Sequence, residues 1–159
     1  MDFVPELGQY THETLRDHAL TQGLSDRHLA LLAGIASEIR FAADEIVFRK
    51  GESPKALYFV LEGSLSVEIA VGHATARLQR IGPGDLCGWS AVVRRRETIF
   101  QLRAMEATKA LRIATADLDR LCEEEPSLRA ELASLVLPVV IRRLEAAEHH
   151  VATMYGLRP

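Results

Sequence analysis

"FRKGESPKALYFVLEGSLSVEI", residues Phe48 to Ile69, is the stretch whose reading decides the fold. Gly51 and Glu52 mark a turn after the apolar "IVF" of residues 46–48. "ALYFVLE" (Ala56–Glu62) is a run of strand formers, and Glu62-Gly63 breaks it. Beyond the break, Leu65, Val67 and Ile69 alternate with Ser64, Ser66 and Glu68. That is the period of a strand with one apolar face and one face expected to be wet.

The pattern continues outward on both sides. "GHATARLQRI" (residues 72–81) gives a further strand, "GPGD" (82–85) is turn chemistry, and "TIFQLRAMEATKALRI" (98–113) gives two more strands. Residues 40–113 therefore read as short strands closed into a rolled antiparallel sheet, which leaves few exposed edges. Upstream, "LSDRHLALLAGIASEI" (24–39) has Ser25 as helix N-cap and sets Leu29, Leu32, Ile35 and Ile39 on one face. Residues 1–39 are assigned to N-terminal helices on that basis.

Downstream, "TADLDRLCEE" (115–124) reads as a short helix with Leu118 and Leu121 inward, and Pro126 suits the first turn of a long one. The long helix carries two apolar seams, Leu128-Leu132-Leu135-Val139 and Val140-Leu144-Ala147-Val151-Met154. Their phase slips just after Pro138, where a kink is expected. The first half is predicted to pack on the roll. The second half is predicted to turn to another surface, that of a second copy or a protein partner; the alternative is one helix lying wholly on its own domain. The architecture expected is one α+β, mainly β domain over residues 1–159: a jelly-roll-like β-roll at 40–113, with C-terminal helices at 114–155.

Composition narrows the function. The chain has 159 residues, 48% hydrophobic and 26% charged, with a formal net charge of −3. That is a globular composition, and the charge balance disfavours a freestanding nucleic-acid binder. Cys87 and Cys122 lack metal-ligand spacing and read as two buried thiols. The start "MDFVPELGQY" has neither the basic region nor the apolar run of a signal peptide, and "LVLPVV" (135–140) is too short to span a bilayer. The expectation is a cytoplasmic protein with no membrane contact.

The motif order resembles the cyclic-nucleotide-binding domain of catabolite-activator-type regulators, nucleotide-dependent kinases and gated channels. It runs from a Gly-Glu turn, through a strand pair broken at Glu62-Gly63 and a Pro-Gly-Asp turn, to "CGWSAVV" (87–93), two strands and two helices. The resemblance implies about eight strands and a phosphate-binding cassette at Pro83–Ile99. In that cassette a short helix offers its amides to the cyclic phosphate, a Glu takes the ribose hydroxyl, and an Arg pairs with the phosphate. Gly88, Ala91, Val92 and Val93 match the cassette's backbone pattern. Trp89 stands at the family's Glu and Thr98 at its Arg, so the cassette is degenerate. Ile99 and Phe100 replace small residues, and Phe100 is expected to narrow the pocket.

The ligand-binding residues expected are Gly88, Trp89, Ser90 and Ala91 as an anion-facing turn, with Thr98, Ile99 and Phe100 opposite. Arg96, on the same strand face as Thr98, would reach in as a substitute cation; the alternative is that Arg94, Arg95 and Arg96 are solvated loop residues. Glu52 and Leu61 are expected in the wall; the resemblance implies Tyr155, at the end of the long helix, over the pocket, and the alternative is a frayed terminus. Trp89 either stacks on a flat ligand or fills the space of the ribose.

Metal catalysis is disfavoured. His73 is the only histidine of the strand region, and the adjacent His149 and His150 point to different faces of a helix. No P-loop, HExxH or GxSxG is present. The resemblance extends to single-domain bacterial members without a helix-turn-helix, so direct DNA reading is not expected. The function expected is a stand-alone regulatory or sensor module, not an enzyme, that signals through its C-terminal helix. Its ligand would be a cyclic nucleotide or another small anion, with weak or no binding of ordinary cyclic AMP or cyclic GMP. The alternative is a ligand-free structural dimer or adaptor whose pocket Trp89 and Phe100 fill.

Overall fold

The computed structural model describes residues 5–93 and 97–158, with side chains throughout except at 5–9, 91 and 93. Helices α1 (Pro5–Asp17) and α2 (Asp26–Ile35) come first. Eight strands follow: β1 (Ala36–Phe41), β2 (Ile46–Phe48), β3 (Ala56–Glu62), β4 (Leu65–Val71), β5 (Ala74–Ile81), β6 (Leu86–Cys87), β7 (Gln101–Ala104) and β8 (Thr108–Ala114). The one-turn helix α3 (Ser90–Val93) lies between β6 and β7. Helices α4 (Thr115–Glu124) and α5 (Pro126–Met154) close the chain. The strands form two four-stranded antiparallel sheets, ordered β1-β8-β3-β6 and β2-β7-β4-β5.

Strand β3 is buried from Ala56 to Val60 because it is covered on both faces. Leu57 and Phe59 point to a core shared with α2, α4 and α5, where Leu32, Leu118, Leu128, Leu132 and Val139 meet them. Tyr58 and Val60 point into the roll, against Phe41, Leu65, Ile81 and Leu102. Each large side chain so buried stabilises the fold by about 1.5–3 kcal/mol before the entropy of ordering it.

Three expectations change. Ser25 does cap α2, its hydroxyl accepting from His28 N at 3.3 Å, but the helix ends at Ile35. Ile39 sits in β1 opposite Ala110, inside a ladder that pairs residues 36–41 with 108–113. That ladder overrides the helical spacing, since strand pairing outweighs local propensity. The face of β4 expected to be wet is covered. Glu68 is only 2% exposed and accepts from Gln101 Nε2 at 2.9 Å and Arg103 Nε at 3.1 Å. Ser64 Oγ donates to Glu106 Oε1 at 2.6 Å. The third change concerns α5.

Its first seam, Leu128, Leu132, Leu135 and Val139, is buried in the core as expected. The helix runs on through Pro138. The second seam does not turn away: Val140, Leu144, Ala147 and Val151 face this chain's own roll across an open cavity. Two polar anchors hold α5 in that position. Before Pro138, Glu131 Oε2 meets His28 Nδ1 at 2.7 Å and Ser25 N at 3.2 Å. After it, Arg142 and Arg143 reach Asp85, and Gln79 Nε2 donates to the Arg143 carbonyl at 2.9 Å. Among the described residues no helix is long and apolar enough to cross a membrane.

Candidate functional site

The "PGD" turn is stitched to β3. Gly84 N donates to Val60 O at 3.1 Å, Val60 N to Asp85 O at 2.9 Å, and Leu86 N to Asp85 Oδ1 at 2.8 Å. The chain then pairs as β6, with Cys87 opposite Tyr58, and turns sharply at Gly88. Gly88 has φ 78°, and a Cβ there would collide with the Ala56 carbonyl oxygen. Only glycine fits so close to a neighbouring strand at positive φ. This turn sets Trp89 and Ser90 where α3 begins.

Here the roll encloses a cavity of about 670 Å³. Gly88, Trp89, Ser90, Thr98, Ile99 and Phe100 all line it. Ala91 belongs to α3. The Ala91 side chain, and Arg96 with Arg94 and Arg95, lie outside what is described. Trp89 is half-buried and packs at the edge of the main core. It and Phe100 narrow the cavity but do not fill it. Ile99, 60% exposed, stands at the mouth.

Thr98 cannot replace an arginine. Its backbone pairs with Gly51 and Glu52 at 2.7 and 2.9 Å, and its hydroxyl oxygen accepts from Phe100 N at 3.0 Å. Glu52 is a correction: its carboxylate turns back to accept from Arg49 N at 3.1 Å, and only its backbone serves the site. Leu61 is another, packing against the helix-facing core. Tyr155 is a third. It is 80% exposed and covers nothing, because α5 lays Val151 and not its last residue on the cavity.

The opposite wall is the face of α5 that repeats at Val140, Arg143, Leu144, Ala147, His150 and Val151. Sequence reasoning found the aliphatic members of this stripe but missed Arg143 and His150. The signal was present: 140, 143, 147 and 150 step by three and four residues along one helix face.

Arg143 is largely buried, its side chain 17% exposed. Its Nη2 donates to Leu86 O and lies 3.6 Å from Asp85 Oδ1, which Arg142 Nη2 also reaches at 3.0 Å. Burial pulls the Arg143 guanidinium below the ordinary arginine range, and Asp85 partly restores it. Cys87 also lines the cavity; burial pushes its thiol up to about 12, so it acts as apolar wall and not as a nucleophile.

Comparison with known proteins agrees with this architecture. Residues 38–125 match the family model of the cyclic nucleotide-binding domain. A Rhodopseudomonas palustris protein named as a potassium channel is 35% identical over 92 residues, 58% of this chain and 22% of the relative's length. A solved structure from Methylobacillus flagellatus, a cyclic nucleotide-binding domain, superposes with a TM-score of 0.79 at 14% identity, covering 92% of this chain and 85% of that one. A Geobacter metallireducens structure described as cyclic nucleotide-binding superposes with a TM-score of 0.74 at 23% identity, covering 83% and 96%.

Proposed function

The chain belongs to the cyclic nucleotide-binding domain family, and from that premise we propose that it is a non-enzymatic regulatory module that senses a small molecule in its cavity and signals through α5. One observation carries this reading. The same cavity is walled on one side by Gly88–Ser90 and Thr98–Phe100 and on the other by the 140–151 face of α5. A molecule bound there touches both walls, so it selects among positions of the helix.

Ordinary cyclic AMP and cyclic GMP bind weakly or not at all in this reading. Trp89 and Thr98 occupy the places of the Glu and Arg that grip ribose and phosphate. A charge-assisted hydrogen bond contributes about 1.5–3 kcal/mol, so loss of the Arg alone weakens binding by roughly ten- to a hundredfold or more. Trp89 is the only tryptophan in the chain, so its emission reports on the cavity. Titration with either nucleotide is expected to give no saturable change below about 1 mM. Saturation at micromolar concentration would overturn the reading.

A second reading, association through α5 as a homodimer or with a protein partner, is favoured by one observation. Leu137 and Ile141, which do not line the cavity, are 57% and 46% exposed along that helix. Light scattering is expected to return a dimer that Ile141→Glu dissociates. A monomer at tens of micromolar, roughly, would end this reading.

A further inference from the structure

The cavity's walls specify a class of ligand that a cyclic nucleotide does not match. Its volume of about 670 Å³ falls in the range that holds small molecules. Most of the surface is hydrocarbon or aromatic: Val67, Leu102, Trp89 and Phe100 on the roll, Leu144 and Val151 on the helix. Several polar groups at the wall are already engaged. Gln79 donates to the Arg143 carbonyl, and the Thr98 hydroxyl oxygen accepts from Phe100 N.

Arg143 is different. Two guanidiniums, Arg142 and Arg143, share the single carboxylate of Asp85, so among the described residues one positive charge at this end of the cavity has no protein counter-ion. Of the five N–H donors of Arg143, only those on Nη2 meet protein acceptors among the described residues, leaving Nε and Nη1 to spare. His150, one helical step on from Ala147, lines the same face. Glu97 is the acidic residue of the lining, and it is solvent-exposed.

We propose that the cavity binds an apolar monocarboxylate, with its acid group on the free edge of Arg143 and its alkyl or aryl body between Trp89, Phe100 and Leu144. The anion supplies the charge that Asp85 cannot share twice. The hydrocarbon body replaces water on surfaces that gain nothing from being wet. The anion anchor of this chain is thus on α5, whereas the cassette keeps only the shape of the pocket. This deepens the sensor reading and rests on it.

The test measures Trp89 emission and calorimetric binding for decanoate, 4-phenylbutyrate, decanol and cyclic AMP. At least one acid is expected to bind, and decanoate to bind about tenfold or more tightly than decanol. Arg143→Gln is expected to remove that preference while leaving decanol binding in place. Since this variant also loses contacts of the α5 anchor, Leu144→Glu serves beside it: it adds a like charge to the cavity wall, spares the anchor, and should lower the acid-to-alcohol ratio in the same direction.

Binding of decanoate alone would identify an alkyl ligand, and of phenylbutyrate alone an aryl one; both outcomes support the proposal. Equal binding of decanoate and decanol, an unchanged ratio in both variants, or no acid binding would overturn it. Micromolar binding of cyclic AMP would instead overturn the reading that ordinary cyclic nucleotides bind weakly or not at all.

Discussion

At Gly88 a single hydrogen decides whether the cavity can form. A methyl group there meets the Ala56 carbonyl at a φ of 78°, so Gly88→Ala is expected to cost on the order of 2–4 kcal/mol in urea unfolding. Gly72→Ala, at φ 63° with open space around it, should cost only about 1–2 kcal/mol. Equal losses at the two sites would remove the steric account. His18 sets a pH dependence. Its Nδ1 accepts from Leu20 N and its Nε2 donates to Val60 O at 3.2 Å, so the folded ring is neutral, and burial holds its pKa below the ordinary 6.5. The unfolded chain therefore takes up this proton first as pH falls. His18's share of stability is fully present above about pH 6.5 and declines below it, until the folded ring protonates as well. Urea midpoints at pH 7.5 and about 5.5 should differ less in His18→Gln than in the wild type. Identical slopes would show that His18 is not responsible.

At the scale of elements, α5 is one helix held at two points on either side of Pro138. Proline in a helix interior lacks a donor and crowds the preceding turn, so Pro138→Ala is expected to raise stability by about 1–3 kcal/mol in chemical denaturation. No gain would mean that docking requires the shape proline imposes. Asp85→Asn keeps an acceptor for Leu86 N but removes the charge shared by Arg142 and Arg143. Hydrogen exchange should then rise about tenfold in residues 142–154 and stay unchanged in 126–136. Uniform change along the helix would deny that Asp85 is a local anchor. The elements themselves were largely legible. The alternation in β4, the Ser25 cap and the short helix at Thr115 each write a local period or cap into the chain. The end of α2 and the burial of Glu68 were not legible, because both depend on residues distant in sequence: β8 for Ile39, and Gln101 and Arg103 for Glu68. The two-residue strand β6 is too short to carry a period at all.

At the scale of the molecule, half of the candidate site was readable and half was not. The Gly88–Ser90 and Thr98–Phe100 wall sits within one contiguous segment, whose order and spacing resemble a known cassette. The α5 wall begins at Val140, some 40 residues beyond Phe100, with nothing local that betrays its target, and it required the fold: a helical stripe states its period but not the surface it faces. The account stands on a single mechanical claim, that filling the cavity fixes the second half of α5. Amide hydrogen exchange across Val140–Val151 measures this directly, with the cavity occupied by decanoate, or by whichever small anion most raises the melting temperature, until Trp89 emission saturates. The account predicts that exchange in that segment slows about tenfold or more while Pro126–Val136 is unaffected. Saturated Trp89 emission with unchanged exchange at Val140–Val151 would contradict it.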